Sequence, residues 1–218
     1  MKTDLLHASI AERWEIVVDF AQFAGKNVTM RNNRNVQADD DYNSTDKVMR
    51  FVVGNKVTTS DSPLPSSLRS VPFPPAKTTV DRSFKFERKG GEWTINGVTF
   101  AQTENRILAK PQRGAVEVWE LENSSGGWSH PVHIHLVDFQ VIERTGGNRP
   151  VLEYEKNGLK DVVLLGVNEK VKVVARYQPF PGVYMFHCHN LVHEVSNPHN
   201  ILGQWCRDGG LRFWSTNT

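Results

Sequence analysis

Tyr184-Met185-Phe186-His187-Cys188-His189-Asn190-Leu191-Val192-His193-Glu194 holds three of the chain's eight histidines and one of its two cysteines. Its lead-in, Gly182 to Phe186, is made of residues that favour extended backbone, so the stretch reads as a strand. Side chains on a strand alternate between faces. His187 and His189 are therefore expected on one side and Cys188 on the other. A metal held by the thiolate would sit across the strand from one held by the two imidazoles, only a few covalent bonds away. That geometry suits the passage of electrons between metal centres.

A second stretch supplies partners. Trp128-Ser129-His130-Pro131-Val132-His133-Ile134-His135 enters another strand-like run, Leu136 to Ile142. His133 and His135 share a face by the same period of two, and His130 lies before that alternation, at a loop edge. Imidazole suits copper, zinc and iron, thiolate selects softer metals, and two histidines with one cysteine form the blue-copper arrangement. The expected assignment is one mononuclear copper on His130, Cys188 and His193, with His133, His135, His187 and His189 facing a separate site. Either cluster alone is equally a zinc site or an ordinary histidine pair. Two clusters on strands, with seven potential ligands between them, make chance a poor account.

The motifs His130-Pro-Val-His-Ile-His135 and His187-Cys-His-Asn-Leu-Val-His193 resemble the two C-terminal copper motifs of multicopper oxidases. The text between them, with Leu136-Val-Asp-Phe139, Gly158-Leu-Lys-Asp-Val162 and Pro179-Phe-Pro-Gly-Val-Tyr-Met185, is closest to the fungal bilirubin oxidase branch, which is laccase-like. The resemblance implies an all-β, cupredoxin-like Greek-key barrel preceded by part of a second cupredoxin domain. It also implies oxidation of a small organic donor, a phenol or tetrapyrrole, with O2 reduced to water. His133 would then serve the lone copper of a three-copper cluster, and His135, His187 and His189 its coupled pair. His187, Cys188 and His189 would form the electron-transfer path. Trp128 would line the donor's docking surface, or simply pack in the loop.

Bulk properties agree with that class and exclude others. The chain has 26 basic and 24 acidic residues, scattered along its length, so no nucleic-acid partner is indicated. No apolar run approaches the roughly 18–20 residues that span a bilayer, and no membrane partner is expected. Met1 is followed by Lys-Thr-Asp-Leu-Leu-His, without the apolar core of a signal peptide. Asn27-Val-Thr29, Asn43-Ser-Thr45 and Asn123-Ser-Ser125 have the form of glycosylation acceptors. Together with the resemblance they imply a secreted protein whose export signal lies outside this chain.

Taken in order, residues 1–55 carry three candidate strands, Trp14 to Phe20, Asn27 to Arg31 and Lys47 to Val53, and resemble the closing strands of the copper-free middle domain of the family. Asp39-Asp40-Asp41 reads as a solvated loop tip. Residues 56–80 form a Pro/Ser-rich linker, extended and fairly stiff. Residues 81–194 are the copper-binding domain. It contains an alternating run at Ser83 to Glu87, turns at Gly90-Gly91 and Asn96-Gly97, strands at Ala115 to Asn123, Asp161 to Val167 and Lys170 to Tyr177, and a flexible loop at Ser124 to Gly127.

The resemblance stops after Glu194. The family places a Met, Leu or Phe five residues beyond the last histidine, where this chain has Pro198, with His199 adjacent. Residues 195–218 lack strand patterning and are expected to be a poorly ordered, atypical tail, retained intron sequence or a distinct isoform end. Met1 is expected to be an internal start. A complete family member holds four copper ions and uses histidines from N-terminal cupredoxin domains. With no further His-x-His pair here, this chain is expected to bind fewer copper ions and to reduce O2 poorly on its own.

Overall fold

The computed structural model describes residues 2–33, 45–56, 62–190 and 193, and the backbone of residues 202–207. The Asp39–Asp41 tip, the Asn43 sequon, Pro198 and His199 lie outside the described residues. The chain divides into two compact units, Arg13–Val71 and a larger one made of Met1–Glu12 with Pro72–Thr218.

In the smaller unit, β1 (Asn27–Arg31) pairs antiparallel with β2 (Lys47–Val52). Phe20 and Phe51 meet with ring centroids 4.9 Å apart. Val48, Met49 and Val52 remain exposed; among the described residues of this unit the two strands have no second layer over that apolar face. Trp14 to Phe20, expected as a strand, forms no β-ladder, and Phe20 takes φ −97° and ψ 0°, outside the extended region. Its β-branched composition meets the propensity for a strand but not the need for a neighbour.

The larger unit is built from two five-stranded sheets. The first has β4 (Glu92–Ile95), β3 (Arg82–Lys89), β6 (Val116–Ser124), β10 (Lys170–Arg176) and β8 (Phe139–Thr145) in that spatial order. The second has β5 (Ile107–Ala109), β12 (Leu202–Arg207), β11 (Gly182–Cys188), β7 (His130–Ile134) and β9 (Val162–Leu165). From β6 to β11 the chain crosses from one sheet to the other at every step, which yields the Greek-key arrangement expected of an all-β cupredoxin-like barrel. Alternation drives it: Val171 and Val173 on β10 are buried on either side of Lys172, and Phe84 and Phe86 on β3 are buried on either side of Lys85.

The sheets close on an aromatic centre. Phe84 lies 4.7 Å from Phe186 and 4.7 Å from Trp119, and Trp119 stacks on Tyr177 at 5.0 Å. Asn96-Gly97 forms the expected tight turn, with φ of +54° and +74° and paired hydrogen bonds between Ile95 and Val98. Gly90-Gly91, both at positive φ, join β3 to β4.

Three expectations shift. The run from Leu136 to Ile142 is interrupted because Leu136 takes φ +73°, so β8 begins only at Phe139. His130, expected at a loop edge, is the first residue of β7. β12 forms in the tail despite its lack of alternation, pairing antiparallel with β11 and parallel with β5. The open main-chain groups of a strand edge accept any extended backbone, whatever its side-chain pattern.

A buried ionic cluster at one end of β8 also went unforeseen. Arg144 contacts Glu155 at 2.8 Å and Glu169 at 2.9 Å, and Arg149 joins through Glu155 at 2.6 Å. Burial pushes the Glu155 carboxyl up, but the hydrogen bond from Arg149 and the charge of Arg144 outweigh it and hold it at about 2. Near the other end of β8, Lys160 pairs with Glu12 of the N-terminal segment at 2.7 Å, both nearly sealed from solvent.

Candidate metal centre

Period-two alternation separates the histidines into two groups. On β11, Phe186 and Cys188 face the core, while His187 takes the other side. On β7, Val132 and Ile134 face the core with His130, and His133 and His135 take the other side. The antiparallel register sets His187 opposite His133 and Cys188 opposite Val132. The backbone of His189 then donates to Pro131 O at 2.6 Å, which extends the pairing past the end of β11.

The inner group is His130, Cys188 and His193, all buried, with one ligand atom of each within 4.8 Å of the others. Cys188 Sγ lies 3.5 Å from His193 Nδ1 and accepts the Asn190 backbone N–H at 3.4 Å. His130 Nδ1 and His193 Nε2 are buried with no hydrogen-bond partner among the described residues. A buried, unpartnered imidazole nitrogen is costly; a metal at His130 Nδ1 would relieve one, and two imidazoles with the sulfur beside His193 Nδ1 fit a soft or borderline ion. Burial drives the His130 imidazole down to about 3, helped by the charge of His193, and drives His193 to about 4, helped by Arg88. Both rings are thereby held neutral, the form a metal requires.

Aromatic rings enclose this group. Trp93 lies over His193 at 4.1 Å, and Trp128 meets His193 edge-on at 5.1 Å and Trp93 at 5.7 Å. Trp128 is half-buried and packs against the core. Trp93 was not singled out in the sequence, because it lies far from both motifs along the chain.

The outer group is His133, His135 and His187, again with ligand atoms within 4.8 Å of one another. His189 stands beside it, its ring centroid 5.1 Å from that of His187 and 5.9 Å from that of His133. His133 Nδ1 donates to Asp161 O at 2.7 Å and His187 Nδ1 to Cys188 O at 2.9 Å. Carbonyls only accept, so both rings carry hydrogen on Nδ1 and keep a lone pair on Nε2. His135 Nε2 lies 3.2 Å from His187 Nε2. Burial and the charges of the neighbouring histidines lower His135 to about 4; burial also lowers His133, against the opposing pull of Asp161.

Of the three sequons, Asn27 is exposed, whereas Asn123 is buried at 3% exposure. Its amide nitrogen donates to Trp128 O at 2.6 Å and Gly166 O at 2.8 Å, so it is no glycan acceptor. The loop Ser124 to Gly127, expected to be flexible, buries Ser125 against His130 at 2.7 Å.

The family profile described as multicopper oxidase matches residues 72–197. Bilirubin oxidase of Albifimbria verrucaria is 56% identical over 199 residues, which are 88% of this chain and 35% of that protein. A laccase of Haloferax volcanii is 34% identical over 84% of this chain and 32% of its own length. The crystal structure of the McoA multicopper oxidase of Aquifex aeolicus superposes with a TM-score of 0.72 at 26% identity, over 88% of this chain and 43% of that one. The chain thus spans about a third of the length of those two curated relatives, 35% and 32%.

Proposed function

The chain belongs to the multicopper oxidase family, and from that premise we propose that it forms the C-terminal, donor-side portion of an oxidase coupling organic oxidation to O2 reduction. His130, Cys188 and His193 would hold a mononuclear copper. His133, His135, His187 and His189 would give part of the ligand set of a three-copper cluster. Copper at the inner site would supply one-electron oxidation of the donor, and the cluster, once completed by ligands from N-terminal domains, would supply reduction of O2 to water.

The observation that carries this reading is the two-sided use of β11. Cys188 and its neighbour His187 belong to separate clusters, each with ligand atoms within 4.8 Å. His187, Cys188 and His189 join the two sides covalently, and the His187 Nδ1–H···O=C bond to Cys188 at 2.9 Å adds a shorter bridge. The packed rings of Trp93 and Trp128 exclude water from the inner side while leaving Trp128 half-exposed to a small aromatic donor. Phenols or tetrapyrroles are proposed as donors, from the similarity to bilirubin oxidase and laccase. In the same reading, residues 1–55 are part of a middle cupredoxin domain, 56–80 a linker, 81–194 the copper domain and 195–218 an atypical tail. The protein is read as secreted, and its N-terminal cupredoxin domains would complete the cluster. No described helix is long and apolar enough to cross a membrane.

A second reading, a non-catalytic electron-transfer cupredoxin, draws on the burial of all three inner ligands, since these need nothing from another domain. Metal analysis, visible absorption and O2 uptake on the purified chain separate the two. The oxidase reading expects thiolate–copper colour, fewer coppers than the four of a complete member, and donor-dependent O2 uptake only when N-terminal domains are supplied. Blue colour with no uptake in that longer form would select the electron-transfer protein. Colourless metal binding would defeat both.

A further inference from the structure

Asn123, Ser124 and Ser125 close β6 and lead toward Trp128, and their hydrogen bonds have only one consistent direction. Asn123 Nδ2 donates to two backbone carbonyls, Trp128 O at 2.6 Å and Gly166 O at 2.8 Å. Carbonyls cannot donate, so the amide is oriented with Oδ1 toward Ser125. Oδ1 accepts the Ser125 N–H at 3.0 Å and the Ser125 hydroxyl hydrogen at 2.6 Å. With that hydrogen committed, the 2.7 Å contact between Ser125 Oγ and His130 Nε2 must run from ring to hydroxyl. A neutral imidazole with hydrogen on Nε2 keeps its lone pair on Nδ1, the atom buried without a partner.

The far end of this relay is itself fixed. Gly166 N–H donates to Glu169 Oε2 at 2.7 Å, the Asn123 N–H donates to Glu169 O at 2.8 Å, and Arg144 holds the same carboxylate at 2.9 Å. Ser125 and Asn123 are 7% and 3% exposed, so water does not compete for these bonds.

We propose that Ser125, anchored by Asn123, is a positioning residue that fixes the His130 tautomer and presents Nδ1 to the copper of the inner cluster. The proposal rests on the reading of His130, Cys188 and His193 as a copper site. It converts an apparent glycosylation motif into the outer support of a ligand. Partners of this kind orient metal-bound histidines, and their loss commonly costs about 10–100-fold in metal affinity.

Two measurements test it. In the metal-free full chain, long-range 15N–1H correlation should show His130 protonated at Nε2; protonation at Nδ1 overturns the proposal whatever the copper chemistry. In competition with a chromophoric Cu(I) chelator, Ser125→Ala should weaken binding about 10–100-fold, and Ser125→Thr, which keeps the hydroxyl, should regain most of it. Equal affinity for the parent and Ser125→Ala overturns it, as does failure of Thr to rescue. If the parent chain binds no copper through its thiolate, the site reading falls, and the tautomer measurement still decides the role of Ser125.

Discussion

The inner and outer clusters lie on opposite faces of the same two strands, yet His130 on one side and His133 and His187 on the other leave opposite nitrogens free. His130 has its Nε2 hydrogen taken by Ser125 and keeps Nδ1 for a ligand. His133 and His187 give their Nδ1 hydrogens to backbone carbonyls and keep Nε2. Nδ1 sits close to the backbone and Nε2 at the tip of the ring. A short arm suits a compact site inside a packed barrel; a long arm suits a face where ligands must reach outward. The choice is made by whichever acceptor holds the other nitrogen's hydrogen, not by the histidine itself.

The largest effect that would break this contrast is at the sulfur. Cys188→Ser should abolish the visible thiolate–copper absorption completely while leaving metal bound at His133, His135 and His187, as read by absorption and metal analysis of the same sample. Persistence of the band would place the thiolate ligand elsewhere.

Phe186→Ala strikes the strand that both clusters share. Phe186 is fully buried, 4.7 Å from Phe84 and 5.5 Å from Trp119. Emptying such a site costs about 3–5 kcal/mol. Urea unfolding should show a loss of that size, with both clusters losing metal together. Loss from one cluster alone would mean that the two faces are not mechanically coupled through β11.

The smallest expected effect sharpens the contrast through pH. In the metal-free protein His130 is held at about 3 and His135 at about 4, both below the ordinary value of 6.5. Between those values and 6.5 the unfolded chain binds protons that the folded chain refuses. Stability is therefore full above about 6.5 and falls as pH drops toward 4. Burial is complete at His130 and partial at His135, so His130→Gln should flatten the acid limb of the stability curve more than His135→Gln. The reverse order would mean that desolvation does not set these values.

The family and the division of the motif side chains between two faces were legible in the sequence because the information is short-range: period-two alternation, His-x-His spacing and a cysteine between two histidines. The turn at Asn96-Gly97 was legible for the same reason. What could not be read depends on residues distant along the chain. Trp93, on the edge strand β4, meets His193 at 4.1 Å only once the chain has folded. Arg144, Glu155 and Glu169 look like ordinary surface charges until the fold buries them together. Asn123-Ser-Ser125 matched a short motif whose meaning depends on burial, which no tripeptide encodes. β12 went unread because its main-chain pairing leaves no mark in the side-chain pattern.

The buried ion pair between Glu12 and Lys160, 2.7 Å apart, bears on where an engineered version of this domain should start. A design trimmed to the copper barrel, opening near Asp81, would discard the carboxylate against an enclosed ammonium. Stripping one partner from such a pair typically costs about 3–5 kcal/mol. The damage would arise next door to Asp161, whose carbonyl steadies the ring of His133. The first dozen residues, remote from every ligand in the chain's order, belong with the metal face in any minimal version.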